Sequence, residues 1–280
     1  ARTACRGPGE PFLGLIIALC LCNKGVSGNS GGNRVEREAD VSGILSQTIE
    51  TVGAAGRSVI VYVLVLGLLS GFGALFGFVS MDDNLFSMRL FEGGFDTETV
   101  GMLGALFGLA NLAVFVIASY FLLTQMMAAM GRPMHAGARF WSFVGMSILA
   151  AIGVMIGFVF LVIPGIIVMV RWSAANGYLL SGEHGVTGSL GASWKATDGH
   201  GLSIFGAGLL IWIGLAVLSS GVVMGVGISG SGNMLSPMFA LAITLSSIVE
   251  SFSNAVSFAF SIAVFHLLAP TDTSVADVFE

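Results

Sequence analysis

Charge is what this sequence has least of. Across 280 residues it carries 11 Lys or Arg and 16 Asp or Glu, so only 10% of the chain is charged. A soluble globular domain is about a quarter charged, so this supply excludes an ordinary water-facing surface. The net charge of −5 leaves no basic surplus for neutralising phosphates, which excludes nucleic acid as a partner. Cysteine is nearly absent too: the three present are Cys5, Cys20 and Cys22, so from Val35 onward neither a disulfide framework nor a Cys-based metal site is available. The four histidines, His135, His184, His200 and His266, are scattered, and none is spaced as a metal pair on one helix face. No Gly-x-Ser-x-Gly elbow and no phosphate-binding loop appears. No catalytic, cofactor-binding or metal-ligating set is therefore nominated.

In place of charge there are long apolar runs, at 58–80, 100–127, 141–163, 165–180, 202–228 and 237–269. Each approaches or exceeds the roughly 20 residues that a helix needs to cross a bilayer, the fourth being the shortest. A transmembrane barrel would instead alternate over about 10 residues per strand. The composition thus predicts an all-α polytopic membrane protein with six transmembrane helices over 58–269. The 40 glycines fit that reading, since small residues let helices in lipid approach closely. Small-xxx-small pairs recur at Gly67/Gly71, Gly73/Gly77, Gly104/Gly108, Gly153/Gly157 and Gly221/Gly225. The string GALFG occurs at 73–77 and again at 104–108, and predicts close packing between the first two spans.

Lys and Arg set the orientation. Arg132 and Arg139 follow span two, Lys195 follows span four, and Arg37 and Arg57 precede span one. The 81–98 loop has Arg89 among Asp82, Asp83, Glu92, Asp96 and Glu98, and 229–236 has no charge. Both termini are expected in the cytoplasm, the chain in the cell (inner) membrane, and 270–280 forms an acidic cytoplasmic tail.

Residues 1–34 differ from the rest. Arg2 and Arg6 before the apolar core 12–22 imitate a short signal peptide; the reading preferred is an extension upstream of a native start near Val35. Two amphipathic interfacial helices are expected. In 35–57, Val41, Ile44, Leu45, Ile49 and Val52 recur at helical spacing, away from Glu36, Glu38, Asp40 and Glu50. Between spans four and five, Val186, Leu190 and Trp194 recur every four residues, with Lys195 beside the indole, which suits headgroup depth.

One stretch breaks the apolar pattern. Pro164-Gly165 predicts a tight outer turn between spans three and four, because 141–181 is too long for one crossing. A broken or re-entrant helix is the alternative. Arg171 then lies roughly 9 Å beyond that turn. The last span carries Ser247, Glu250, Asn254, Ser257 and Ser261 at spacings that place them on one helical face, opposite Val256, Ala259, Phe260 and Ala263. Glu250 lies roughly 28 Å from the inner end of that helix, so Arg171 and Glu250 are a candidate intramembrane ion pair. Bilayer charges cost at least about 2.5–3.5 kcal/mol each, which favours pairing. Against it, Arg171 reaches headgroups by snorkelling, Glu250 marks the end of the hydrocarbon, and the polar face lines a water path or binds helices together.

The segment 163–206 resembles the membrane domain found beside some bacterial glycerophosphodiester phosphodiesterases, and related stand-alone six-helix membrane proteins. The likeness rests on Ile163, Pro164, Gly165, Arg171, Glu183, Gly185, Ser193, Trp194, Thr197 and Gly199. Where that family tends to have a proline after the alanine of the arginine helix, this chain has Asn176-Gly177. The resemblance implies a six-helix fold and transfers no activity, because the phosphodiesterase chemistry belongs to a separate α/β barrel of over about 200 residues, for which no soluble segment here is long enough. The expected function is a non-catalytic membrane module that packs with itself, another membrane protein or lipid. The alternative is a transporter or channel for a small solute using the polar face of the last helix. An intramembrane lipid enzyme is the least supported, because no base accompanies Glu250.

Overall fold

The computed structural model describes residues 39–76, 97–131, 139–227 and 237–269. The N-terminal extension with its cysteines, most of the acidic loop, Arg132, the 229–236 loop and the acidic tail lie outside them. Among the described residues there are nine helices and no strand: α1 Val41–Ala54, α2 Gly56–Leu75, α3 Thr97–Ala129, α4 Phe140–Phe160, α5 Val162–Arg171, α6 Ala175–Leu180, α7 Val186–Ala196, α8 Gly201–Gly227 and α9 Pro237–Leu268. Six stretches are long and apolar enough to cross a membrane: Gly56–Gly73, Met102–Ala129, Phe140–Val159, Val162–Leu180, Gly201–Val222 and Thr244–Leu268. The architecture is an all-α, multi-pass membrane protein.

The surface is inverted relative to that of a water-soluble protein. Ile60, Val61, Leu64 and Leu68 on α2, Ile148 and Ile152 on α4, and Leu210, Ile213 and Val217 on α8 are exposed, while Gln47, Thr51, Ser119, Ser193 and Thr197 are buried. In water so much contiguous apolar surface would drive aggregation; in lipid it is the ordinary outer face.

Helix α9 is the centre of the bundle, packing against α1, α2, α3, α6 and α8. Its fully buried side carries Ala255, Ala259 and Ile262, small enough in two positions of three for neighbours to come close. Along α2 the approach is closer still. A β-carbon on Gly67 would stand 2.5 Å from Ile248 Cγ1, and one on Gly71 would strike Thr244 Oγ1. The Gly67/Gly71 pair thus serves the contact of the first span with the last. The first two spans do pack on one another, although Gly108 of the second GALFG has nothing within 4 Å of a would-be β-carbon; Gly77 lies outside the described residues. Tyr62 and Ser119, 3.4 Å apart between their hydroxyl oxygens, are one contact between α2 and α3.

The two short helices form, and most of their expected apolar residues pack against the core: Val41, Ile44, Leu45 and Val52 on α1, Val186 and Leu190 on α7. Asp40 caps α1, its carboxylate accepting from Gly43 N at 2.7 Å, as an N-cap residue does. The buried face of α1 is Ile44, Gln47, Thr48 and Thr51, while Ile49 is exposed. Thr48 and Thr51 donate to the carbonyls of Ile44 and Gln47, both at 2.8 Å, so these hydroxyls are satisfied within their own helix. On α7 the buried residues are Ser189, Leu190 and Ser193, and Trp194 faces outward.

Spans three and four reverse direction at Leu161, not at the Pro-Gly pair. Leu161 is extended (φ −170, ψ 146) and is at once the end of α4 and the cap of α5. Pro164 and Gly165 occupy the first turn of α5, where the missing proline N–H has no intrahelical partner to lose. A β-carbon on Gly157 would stand 2.9 Å from Gly165 Cα, so α4 and α5 meet backbone to backbone.

Candidate functional site at the interrupted fourth span

The fourth span is continuous in hydropathy and broken in structure. α5 ends at Arg171, the chain turns through Trp172, Ser173 and Ala174, and α6 resumes at Ala175. An interrupted helix leaves main-chain carbonyls without their usual i+4 donors, and in an apolar setting each must find another.

Side-chain hydroxyls from two other helices meet them. Ser193 Oγ on α7 donates to the Arg171 carbonyl at 2.7 Å, and Thr197 Oγ1 stands 3.4 Å from the same oxygen while donating to Ser193 O at 2.9 Å. Ser261 Oγ on α9 donates to the Ser173 carbonyl at 2.6 Å and accepts from Asn176 Nδ2 at 3.2 Å. Next to Asn176, a β-carbon on Gly177 would enter the ring of Phe265. The Asn176-Gly177 pair thus supplies a donor to Ser261 and room for Phe265.

The Arg171 guanidinium turns to α7. Its Nη2 donates to Asp198 Oδ1 at 2.9 Å, and its Cζ lies 5.5 Å from the centroid of the Trp194 ring, within cation–π range. That arginine, hydrogen-bonded to and charge-paired with Asp198, holds the Asp198 carboxyl below the ordinary carboxylate range. The expected Arg171–Glu250 pair is therefore corrected: the ion pair of Arg171 is with Asp198. The break directly after Arg171 brings α7 alongside the end of α5, which puts Asp198 in reach of the guanidinium. Glu250 is half-buried on α9.

The polar face of the last helix does not behave as one unit. Ser247 and Ser261 are buried, Glu250 and Asn254 are half-buried and Ser257 is exposed. Ser257 Oγ donates back to Ser253 O at 2.9 Å, and Ser251 Oγ to Ser247 O at 2.7 Å. Ser261 is the serine of this face that bridges to another element.

Part of the motif meets at the break. Ile163, Pro164 and Gly165 open α5, Arg171 closes it, and Ser193, Trp194 and Thr197 form the last turns and cap of α7. Gly185 is the cap of α7, and Glu183 is exposed just before it. Gly199 has φ 79, the left-handed conformation that favours glycine, and turns the chain into α8. Arg139 was legible only as a topology charge. Its Nη1 donates to His184 O at 2.7 Å and its Nη2 to Gly182 O at 2.5 Å, with Leu179 O at 3.4 Å. One cation thus closes the carbonyl end of α6.

His184 packs edge-on against Tyr178 and His200 Nδ1 lies 3.2 Å from the Asp198 carbonyl. Among the described residues no three His, Cys, Asp or Glu side chains come together as a metal site would require. Compared with known protein families, curated proteins and solved structures, the chain matches none.

Proposed function

We propose that the chain is a non-catalytic integral membrane module of the cell (inner) membrane, with both termini in the cytoplasm, acting through helix packing with itself, a partner membrane protein or lipid. The observation that carries this reading is how the polar groups at the break are used. The Arg171 and Ser173 carbonyls accept from Ser193 and Ser261, and Arg171 is committed to Asp198. Polar groups spent on one another hold helices together; they are not arrayed around a substrate. The resemblance of 163–206 to the membrane domain beside glycerophosphodiester phosphodiesterases fits this view, with Arg171, Ser193 and Thr197 of its motif clamping the interrupted span.

A second reading, a transporter or channel for a small solute, draws on a specific feature. Discontinuous helices beside a polar helix face are where such proteins build their sites, and α9 presents Glu250 and Asn254 half-buried within its span. Single cysteines at Asn254 and Ser257, with Cys5, Cys20 and Cys22 replaced, separate the two. The packing reading expects neither position to react with a membrane-impermeant maleimide in intact vesicles. Reaction at both positions, blocked by a solute, would sink it in favour of transport.

A further inference from the structure

The outer face of α7 is aimed by its inner one. Ser193 and Thr197 are fully buried and tied to α5 through the Arg171 carbonyl, so the helix is fixed about its axis. Trp194, 42% exposed, and Lys195 are left on the outside. Six residues after Lys195, α8 begins at Gly201 and enters a membrane-spanning stretch. Leu202, on the first turn of that span, is 88% exposed. Indole, cation and leucine thus fall within the nine positions from Trp194 to Leu202, one group suited to each of the carbonyl region, the phosphate and the acyl chain of a phospholipid.

The local charges favour an anionic headgroup. Asp198, 79% exposed at its side chain, is the nearest carboxylate in sequence to Lys195, and it is engaged by Arg171. Among the described residues the Lys195 ammonium has no carboxylate partner, which leaves this face one net positive charge. The Arg171 guanidinium also backs the Trp194 ring, which fixes where the indole stands.

We propose that the Trp194–Lys195 face of α7 binds the phosphate headgroup of an anionic phospholipid in the leaflet that α7 adjoins. This deepens the reading above and rests on its placement of the chain in a bilayer. The lipid is recognised by Lys195 at the phosphate, by Trp194 at the level of the ester carbonyls and by Leu202 along the chain.

The test is native mass spectrometry of the full chain released from nanodiscs containing equal phosphatidylglycerol and phosphatidylcholine. Wild type is expected to retain phosphatidylglycerol several-fold over phosphatidylcholine. K195R keeps that preference, while K195Q combined with W194L loses it with an unchanged far-UV circular dichroism spectrum. Equal retention of the two lipids by wild type, or an undiminished preference in the double variant, would overturn the proposal. Displacement of the lipid by inorganic phosphate would overturn it as well, because the site would then be for a soluble anion. Carbonate extraction of the parent membranes tests the other claim separately. A chain that resists extraction but shows no lipid preference refutes the headgroup site alone, whereas a chain that is extracted refutes the membrane reading itself.

Discussion

Ser261 and Ser173 meet across 88 residues of sequence: the hydroxyl of the one, on α9, donates to the carbonyl of the other at the break in the fourth span, at 2.6 Å. Ser261 is buried, and its oxygen also accepts from Asn176. Removing the hydroxyl leaves the Ser173 carbonyl without that donor and the Asn176 amide without that acceptor. Interhelical hydrogen bonds in membranes contribute about 0.6 kcal/mol on average and up to about 1.7. Ser261→Ala should destabilise the protein by an amount in the upper part of that range, because two partners are lost. Ser257→Ala, at an exposed serine bonded back to its own helix, should change stability by less than about 0.5 kcal/mol. Equilibrium unfolding in mixed micelles compares the two, and equal effects would show that the bridge to the break contributes nothing.

Glycine positions divide by what faces them. A β-carbon at Gly177 would enter the Phe265 ring, whereas one at Gly214 meets nothing within 4 Å. Gly177→Ala should therefore cost about 1–3 kcal/mol through overpacking. Gly214→Ala should be neutral or mildly stabilising, since alanine is the better helix former. Thermal unfolding of both variants in the same detergent checks the contrast, and a harmless Gly177→Ala would mean that α6 and α9 are less closely packed than described.

The Arg171–Asp198 pair should show itself in the pH dependence of stability. Arg171 lowers the folded-state pKa of the Asp198 carboxyl. A group depressed in the folded state contributes stability above its unfolded value and loses it as pH falls through the folded one. The contribution of the pair should thus be complete near neutrality and fade below about pH 4. In Asp198→Asn that component of the acid-side decline should vanish. Because the carboxylate is solvent-exposed, salt should weaken the effect as well. Melting temperature against pH, at low and high salt, reads both, and identical acid profiles for wild type and variant would count against the pair.

The sequence by itself determined the class of object. Hydrocarbon demands about 20 apolar residues per crossing and no lipid-exposed unpaired backbone, so six long apolar runs already specify six helical crossings. It also marked faces. The spacing of Gly67 and Gly71, or of Gly153 and Gly157, says that one side of a helix is bare enough for close approach. Spacing is a property of one helix, however, and does not name the neighbour. Only the fold set Gly67 and Gly71 against α9, and left Gly108 facing open space.

The same limit explains Arg171. Counting along each helix sets Arg171 and Glu250 at similar depth, yet depth does not name a partner, and the mean hydropathy of the fourth span does not register the three-residue interruption that follows Arg171. Once the chain breaks at Trp172–Ala174, α7 lies beside the end of α5, and Asp198 is the acid within reach. Ser193, Thr197 and Ser261 are in turn ordinary small polar residues in the sequence. Their role exists only because tertiary structure brings them to carbonyls that a continuous helix would have satisfied itself.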